Sequence, residues 1–223
     1  MSKPLMHYWD GRGLMELIRM MFAAAGVEYD EAPYLTTKKQ VEDARAAGLL
    51  MFDQFPLVQW EGKNMVQSKA IVRYIAHKYN MFGSTPDEAY KIDCICEGVS
   101  DAIMPFRMKN VYLMQPPEKF EENCTKSAAR YCPVFEKLLI ENAGSDYLVG
   151  KKMSMADVSL LEMLLCIEEE DFVTLDKYPK LQAFLSHMKG QKGLKEYLGS
   201  SKRRPPNTVE YVTMVGKSLG WIE

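Results

Sequence analysis

Apolar positions along the chain follow two periods, and the change from one to the other divides it. A short apolar segment at residues 5–9 runs into Gly11-Arg12-Gly13, and Leu14, Leu17, Ile18, Met21, Phe22 and Ala25 then recur on one helical face. Gly26, tolerant of positive φ, ends that helix. Residues 27–34 read as a short strand, and the polar stretch 38–47 as a helix stopped by Gly48. Two strand-like runs, 57–60 and 64–67, flank Glu61-Gly62-Lys63 and predict a β-hairpin. Ser68 is placed to cap the next helix, whose stripe includes Ile71, Tyr74 and Ile75. The expected order is β-α-β-α-β-β-α, a small α+β unit.

Turn residues cluster at 80–86, and no convincing strand follows them. Ile92, Cys96, Val99, Ile103 and Phe106 line one helical face, which Pro105 should kink or divide. Phe120, Cys124, Tyr131, Phe135 and Leu138 mark a second long helix. Ser154-Met155-Ala156-Asp157 is a capping-box pattern, with Asp in place of Glu. The segment it opens, 158–167, is apolar on nearly every side and belongs at the centre of a helical domain. The acidic run from Glu168 to Asp171 reads as a solvated face. A further helix spans 178–188, a basic loop with prolines spans 200–207, and an amphipathic stretch at 209–219 is a candidate lid. The chain thus predicts two domains, 1–82 and 83–223, the second all-helical.

Composition narrows the class. Apolar residues make up 47% of 223, enough for a sizeable core, and the net charge of −2 gives no electrostatic case for nucleic acid or an anionic membrane. No apolar run approaches the roughly 18 residues of a membrane span. Met1-Ser2-Lys3-Pro4 leads straight into the strand-like segment, unlike a secretory signal. An odd number of cysteines, five, favours a reducing compartment and a cytoplasmic location. Cys94 and Cys96 point to opposite sides of a helix, and His7, His77 and His187 are scattered, so no metal is expected.

The candidate chemistry sits where strand passes into helix, the edge at which ligands collect in open sheets. Tyr8 lies there. Read alone, it is either a packing aromatic with a satisfied hydroxyl or a hydroxyl that holds a thiolate. Phe55-Pro56, before the hairpin, fits a cis or a trans bond equally. Gln67-Ser68 precedes a helix whose free N–H groups attract carboxylates, although simple capping explains Ser68 too. Arg45 is a carboxylate partner or an ordinary surface arginine. Arg12, between two glycines, braces the turn or tunes the field around Tyr8.

Taken together and in order, these residues resemble a cytosolic glutathione S-transferase over essentially the whole chain. Tyr8-Trp9-Asp10-Gly11-Arg12-Gly13 resembles the tyrosine-type branch, and Gln54-Phe55-Pro56, Val66-Gln67-Ser68 and Arg130-Tyr131 are similar to the alpha class. The resemblance implies a thioredoxin-like N-terminal domain with an all-α C-terminal domain, and glutathione as co-substrate. It implies that Tyr8 bonds the glutathione sulfur, assisted by Arg12. Gln54 and Phe55 would meet the cysteinyl part, Gln67 and Ser68 the γ-glutamyl end, and Arg45 the glycyl carboxylate. Asp101 and Arg130 would reach the site from the neighbouring subunit of a homodimer, or of a heterodimer with a related subunit, and Phe52 would be the key inserted into the partner. One position departs: Leu14 stands where the alpha class has an arginine near the thiolate, and the mu class has leucine there.

The second substrate is expected to be an apolar electrophile held by Trp9, Phe106, Arg107, Met108, Met214 and Trp221, with core packing the alternative for each. Arg107 would favour an acidic or polar substrate instead. Peroxidase or isomerase side activity shares the same thiolate. The competing functions are a glutathione-dependent isomerase of a prostaglandin- or steroid-like lipid, and a non-catalytic ligand carrier or structural protein.

Overall fold

The computed structural model describes residues 2–109 and 117–222; residues 1, 110–116 and 223 lie outside the described part. The first unit runs β1 (Leu5–His7), a 3-10 turn (Gly13–Met15), α1 (Glu16–Ala24), β2 (Asp30–Glu31), α2 (Lys38–Ala46), β3 (Leu57–Trp60), β4 (Lys63–Val66) and α3 (Ser68–Lys78). Its four-stranded sheet has the order β2-β1-β3-β4, with β1 parallel to β2 and β3 antiparallel to both β1 and β4. Glu61 and Gly62 both adopt positive φ, 50° and 75°, as the tight two-residue turn between β3 and β4 requires. Register follows pattern: Met6 faces Val58 across the sheet, and Met6, Leu57 and Val58 are all buried. Phe22 of α1 meets the edge of Trp60 with ring centroids 5.5 Å apart, sealing α1 onto the sheet.

The second unit is helical: α4 (Pro86–Arg107), α5 (Pro117–Glu141), α6 (Met155–Glu168), α7 (Pro179–Gly190), α8 (Lys192–Leu198) and α9 (Val209–Leu219). The apolar helix α6 is central, as its all-round hydrophobicity predicts; it packs on α4 and α7 and also on α1 and α3 of the first unit. The Asp157 carboxylate is fully buried and accepts from Ser154 N–H (2.7 Å), Ser154 O–H (2.8 Å) and Leu148 N–H (2.7 Å). It therefore fixes both the start of α6 and the loop before it. The linker is stitched to the same point, since Met155 N–H donates to the Met81 carbonyl at 2.9 Å.

Two expectations are corrected and two are refined. The strand expected at 27–34 shrinks to Asp30–Glu31, because Val27 N–H is spent on the Phe22 carbonyl closing α1 and Pro33 has no N–H to give. The cap of α3 is Gln67, held at φ 68°, so Ser68 is its first helical residue. Pro105 does not divide α4, which runs unbroken to Arg107; the proline falls in the last turn, where the carbonyl it leaves unpaired belongs to exposed Asp101. The acidic run is largely exposed, as expected, and Glu168, Glu169 and Glu170 also pair with Lys189, Arg12 and Lys109 respectively.

Candidate active site

Tyr8 follows β1 directly and is buried. The chain then turns back on itself, and Leu14 N–H donates to the Tyr8 oxygen at 3.0 Å. Only glycine fits the preceding position: Gly13 has φ +42°, and a Cβ there would lie 2.3 Å from the Tyr8 oxygen. The phenol oxygen therefore accepts from the backbone, and the Tyr211 hydroxyl faces it as well. Burial pushes the Tyr8 pKa up from its ordinary 10, outweighing the opposing pull of the Leu14 N–H, Arg19 and Arg107. The Tyr8 hydroxyl thus stays neutral; Tyr8 itself lines neither of the two cavities described below.

The turn is locked by charge. Arg19, fully buried in α1, donates to the Gly11 carbonyl at 2.8 Å and to Glu31 at 2.6 Å. Arg12 binds both carboxylate oxygens of Glu169 (2.6 and 2.9 Å) and the Arg204 carbonyl (2.5 Å), tying the turn to the end of α6 and to the loop before α9. Arg203 reaches Glu16 at 2.8 Å, and Arg204 reaches Asp10 at 2.8 Å and Glu31 at 2.9 Å. The basic loop of the sequence is therefore a clamp across the two units.

A cleft of about 560 Å³ opens between α3 and α4, and Gln67, Ser68, Leu14, Asp101 and Arg107 all line it. The Phe55-Pro56 bond is cis, and Phe55 meets the edge of Trp9 at 5.6 Å. Gln54 is exposed beside it. Arg45 is half-buried and donates to the Asp53 carbonyl at 3.1 Å. Phe52 stands out from the surface with 57% of its area exposed. Arg130 is exposed on α5, its guanidinium over the Tyr131 ring, and does not line this cleft.

The six residues expected around the electrophile are not gathered in one place. Phe106 and Arg107 line a small cavity of about 40 Å³ together with Gly13, and Arg107 faces the larger cleft as well. Trp9 is buried against Tyr8, and its indole N–H donates to Ser218 Oγ of α9 at 2.7 Å. Met108 caps the end of α4. Met214 borders a separate shallow recess with Thr36 and Lys217, and Trp221 is largely exposed. Sequence reasoning missed Tyr211, whose ring covers Gly11 and whose hydroxyl faces that of Tyr8. It missed Arg19 and Glu162 too. A charged residue in an otherwise apolar helical stripe, as both are, was the available signal.

The chain's own buried sulfurs are poor nucleophiles. Burial pushes Cys96, Cys124, Cys132 and Cys166 up to about 12. Among the described residues, no group of three or more His, Cys, Asp or Glu could hold a metal, and no helix is long and apolar enough to cross a membrane.

Fold and site define a thioredoxin-like domain joined to a helical one, with a phenol donor at the junction. Residues 4–77 match the glutathione S-transferase N-terminal domain and residues 100–201 its C-terminal domain. Glutathione S-transferase A3 of Mus musculus is 42% identical over 209 residues, 92% of each chain, and glutathione S-transferase alpha-5 of Rattus norvegicus is 42% identical over the same share. The crystal structure of the glutathione S-transferase from Ascaris lumbricoides superposes with a TM-score of 0.78 at 26% identity, covering 92% of this chain and all of that one. The chain belongs to the glutathione S-transferase family.

Proposed function

We infer that this glutathione S-transferase uses the neutral Tyr8 hydroxyl to hold the thiol of glutathione as a thiolate, which attacks a small electrophile. The observation that supports this reading is the Leu14 N–H bonded to the Tyr8 oxygen; the phenol hydrogen then turns to the co-substrate rather than to the Tyr211 hydroxyl that faces it. A free thiol of pKa about 8.5 is only some 3% ionised at pH 7. A charge-assisted hydrogen bond contributes roughly 1.5–3 kcal/mol, which lowers that pKa by about one to two units. The start of α1 adds potential of the same sign. The thiolate sulfur then forms a bond to carbon, and for an aryl chloride the chloride leaves with the bonding pair.

Gln67 and Ser68 line the cleft and supply helix-start N–H groups for the γ-glutamyl end, and Gln54 with Phe55 offers main chain to the cysteinyl part. Arg45 takes the glycyl carboxylate. Arg12 acts by bracing the turn that carries Tyr8. The working unit is a homodimer, or a heterodimer with a related subunit: exposed Phe52 is its key, and Asp101 and Arg130 serve the partner's site. The glutathione-binding domain is residues 1–82 and the electrophile-binding domain 83–223. The location is cytoplasmic, in keeping with five free cysteines.

Spectrophotometric conjugation of 1-chloro-2,4-dinitrobenzene tests the activity. Turnover that requires glutathione is expected. No turnover, with glutathione and apolar ligands still bound, would favour the carrier reading. Turnover of a lipid isomerisation substrate far faster than of any conjugation would favour the isomerase.

A further inference from the structure

Among the described residues, Arg107 is the one strongly basic group that lines both the cleft with Gln67 and Ser68 and the small cavity with Gly13. Its Nη2 donates to Glu162 at 2.7 Å, through a single bond rather than a two-pronged fork. Its Nε is covered and has no partner, Nη1 has none among the described residues, and 19% of the side chain remains open. A guanidinium keeps its charge and offers paired N–H groups matched to a carboxylate. Glu162 tethers that group from α6, while Leu14 and Ile103 give the cleft beside it an apolar wall. Leu14, whose N–H holds the Tyr8 oxygen, lines the same cleft. The other charges bordering this cleft are Lys69, Arg73, Glu97 and Asp101. Lys69 and Arg73 are each already paired to Glu97, and Arg73 also to Asp93.

We propose that Arg107 is a specificity residue that selects electrophiles bearing a carboxylate, anchoring the carboxylate while the thiolate attacks the carbon at the other end of the molecule. This rests on the transferase reading above. The reaction is unchanged: the sulfur–carbon bond forms, the leaving group departs with its electron pair, and the carboxylate takes no part in bond making.

The test compares 4-chloro-3,5-dinitrobenzoate with its methyl ester, two aryl chlorides that differ in charge, each rate being divided by its uncatalysed rate. The wild type should prefer the acid by about tenfold in kcat/KM, chiefly through KM, as expected for one charge-assisted contact in partly wet surroundings. Arg107→Met should abolish that preference, and Arg107→Lys should keep part of it. Because Arg107→Met strands Glu162, the paired variant Arg107→Met with Glu162→Leu is run beside it and should give the same loss of preference. A wild type that favours the ester, or a preference that survives both variants, would overturn the proposal. So would an equal slowing of both substrates with a raised thiol pKa in the glutathione complex, which would assign the guanidinium to the thiolate. If the wild type turns over neither compound nor any other aryl halide, the transferase reading fails as well; turnover without charge preference sinks this proposal alone.

Discussion

The two halves of the site are built differently. The half assigned to glutathione is made from backbone: a glycine turn, a cis bond before a hairpin, and a helix start at Gln67 with φ 68°. Its defining hydrogen bond, Leu14 to Tyr8, spans six residues. The half proposed for the electrophile is made from side chains on distant elements. Arg107 meets Glu162 across 55 positions, and Trp9 meets Ser218 across 209. Backbone geometry tolerates little change in sequence, whereas distant side-chain pairs can be exchanged without altering the fold. The first half therefore suits a constant co-substrate and the second a changing one.

The largest effect expected on this contrast is thermodynamic. Glu162→Ala leaves a buried guanidinium unpaired and should lower unfolding free energy by about 3–5 kcal/mol in denaturant titration. Replacing both partners by apolar residues should recover most of it. A single variant as stable as the wild type would show that the electrophile half does not depend on this pair.

Gly13→Ala attacks the backbone half. The added methyl would overlap the Tyr8 oxygen, and φ +42° is poor for alanine. Displacing the phenol by about an ångström should reduce kcat/KM about a hundredfold. Steady-state kinetics with an aryl chloride measures it, and a loss smaller than threefold would mean that the turn does not position Tyr8.

Ser218→Ala removes the acceptor of the buried Trp9 N–H and should cost about 1–2 kcal/mol. The loss should appear as faster amide exchange in α9 than in α6. Equal exchange in wild type and variant would show that α9 is held by its packing on α2 and by the Arg203–Arg204 clamp without this bond.

The smallest effect concerns pH. With its pKa raised by burial, Tyr8 stays neutral in the folded protein beyond the pH at which it would ionise unfolded. Its contribution to stability is thus complete below pH 10 and fades as pH rises through the folded value. The activity profile should rise with thiol ionisation and show no fall from Tyr8 below pH 10. A descending limb near pH 8 that vanishes in Tyr8→Phe would contradict this.

The same contrast explains what the sequence disclosed. Periodicity placed α1, α3 and the hairpin because local spacing determines them, and the Ser154–Asp157 box marked α6 because its bonds are local. Tyr8, Gln67 and Ser68 were legible as candidates for the same reason. The position of Leu14 was noticed as a missing cation, yet what it gives the site is its backbone N–H, which any residue but proline would supply. Tyr211 and the Arg203–Arg204 clamp were hidden, since only the folded chain brings them to the turn, and the charge of Glu162 in an apolar stripe did not disclose its partner, Arg107. The ion pairs of the acidic run were not legible because its cationic partners lie at positions 12, 109 and 189.

The account's central claim concerns one proton, and thiolate absorbance in the ultraviolet reads it directly. Titrating the glutathione complex of the wild type and of Tyr8→Phe should give a bound-thiol pKa about one to two units higher in the variant, with turnover at neutral pH lower by about tenfold or more and glutathione still bound. Identical thiol pKa values in the two complexes would contradict it.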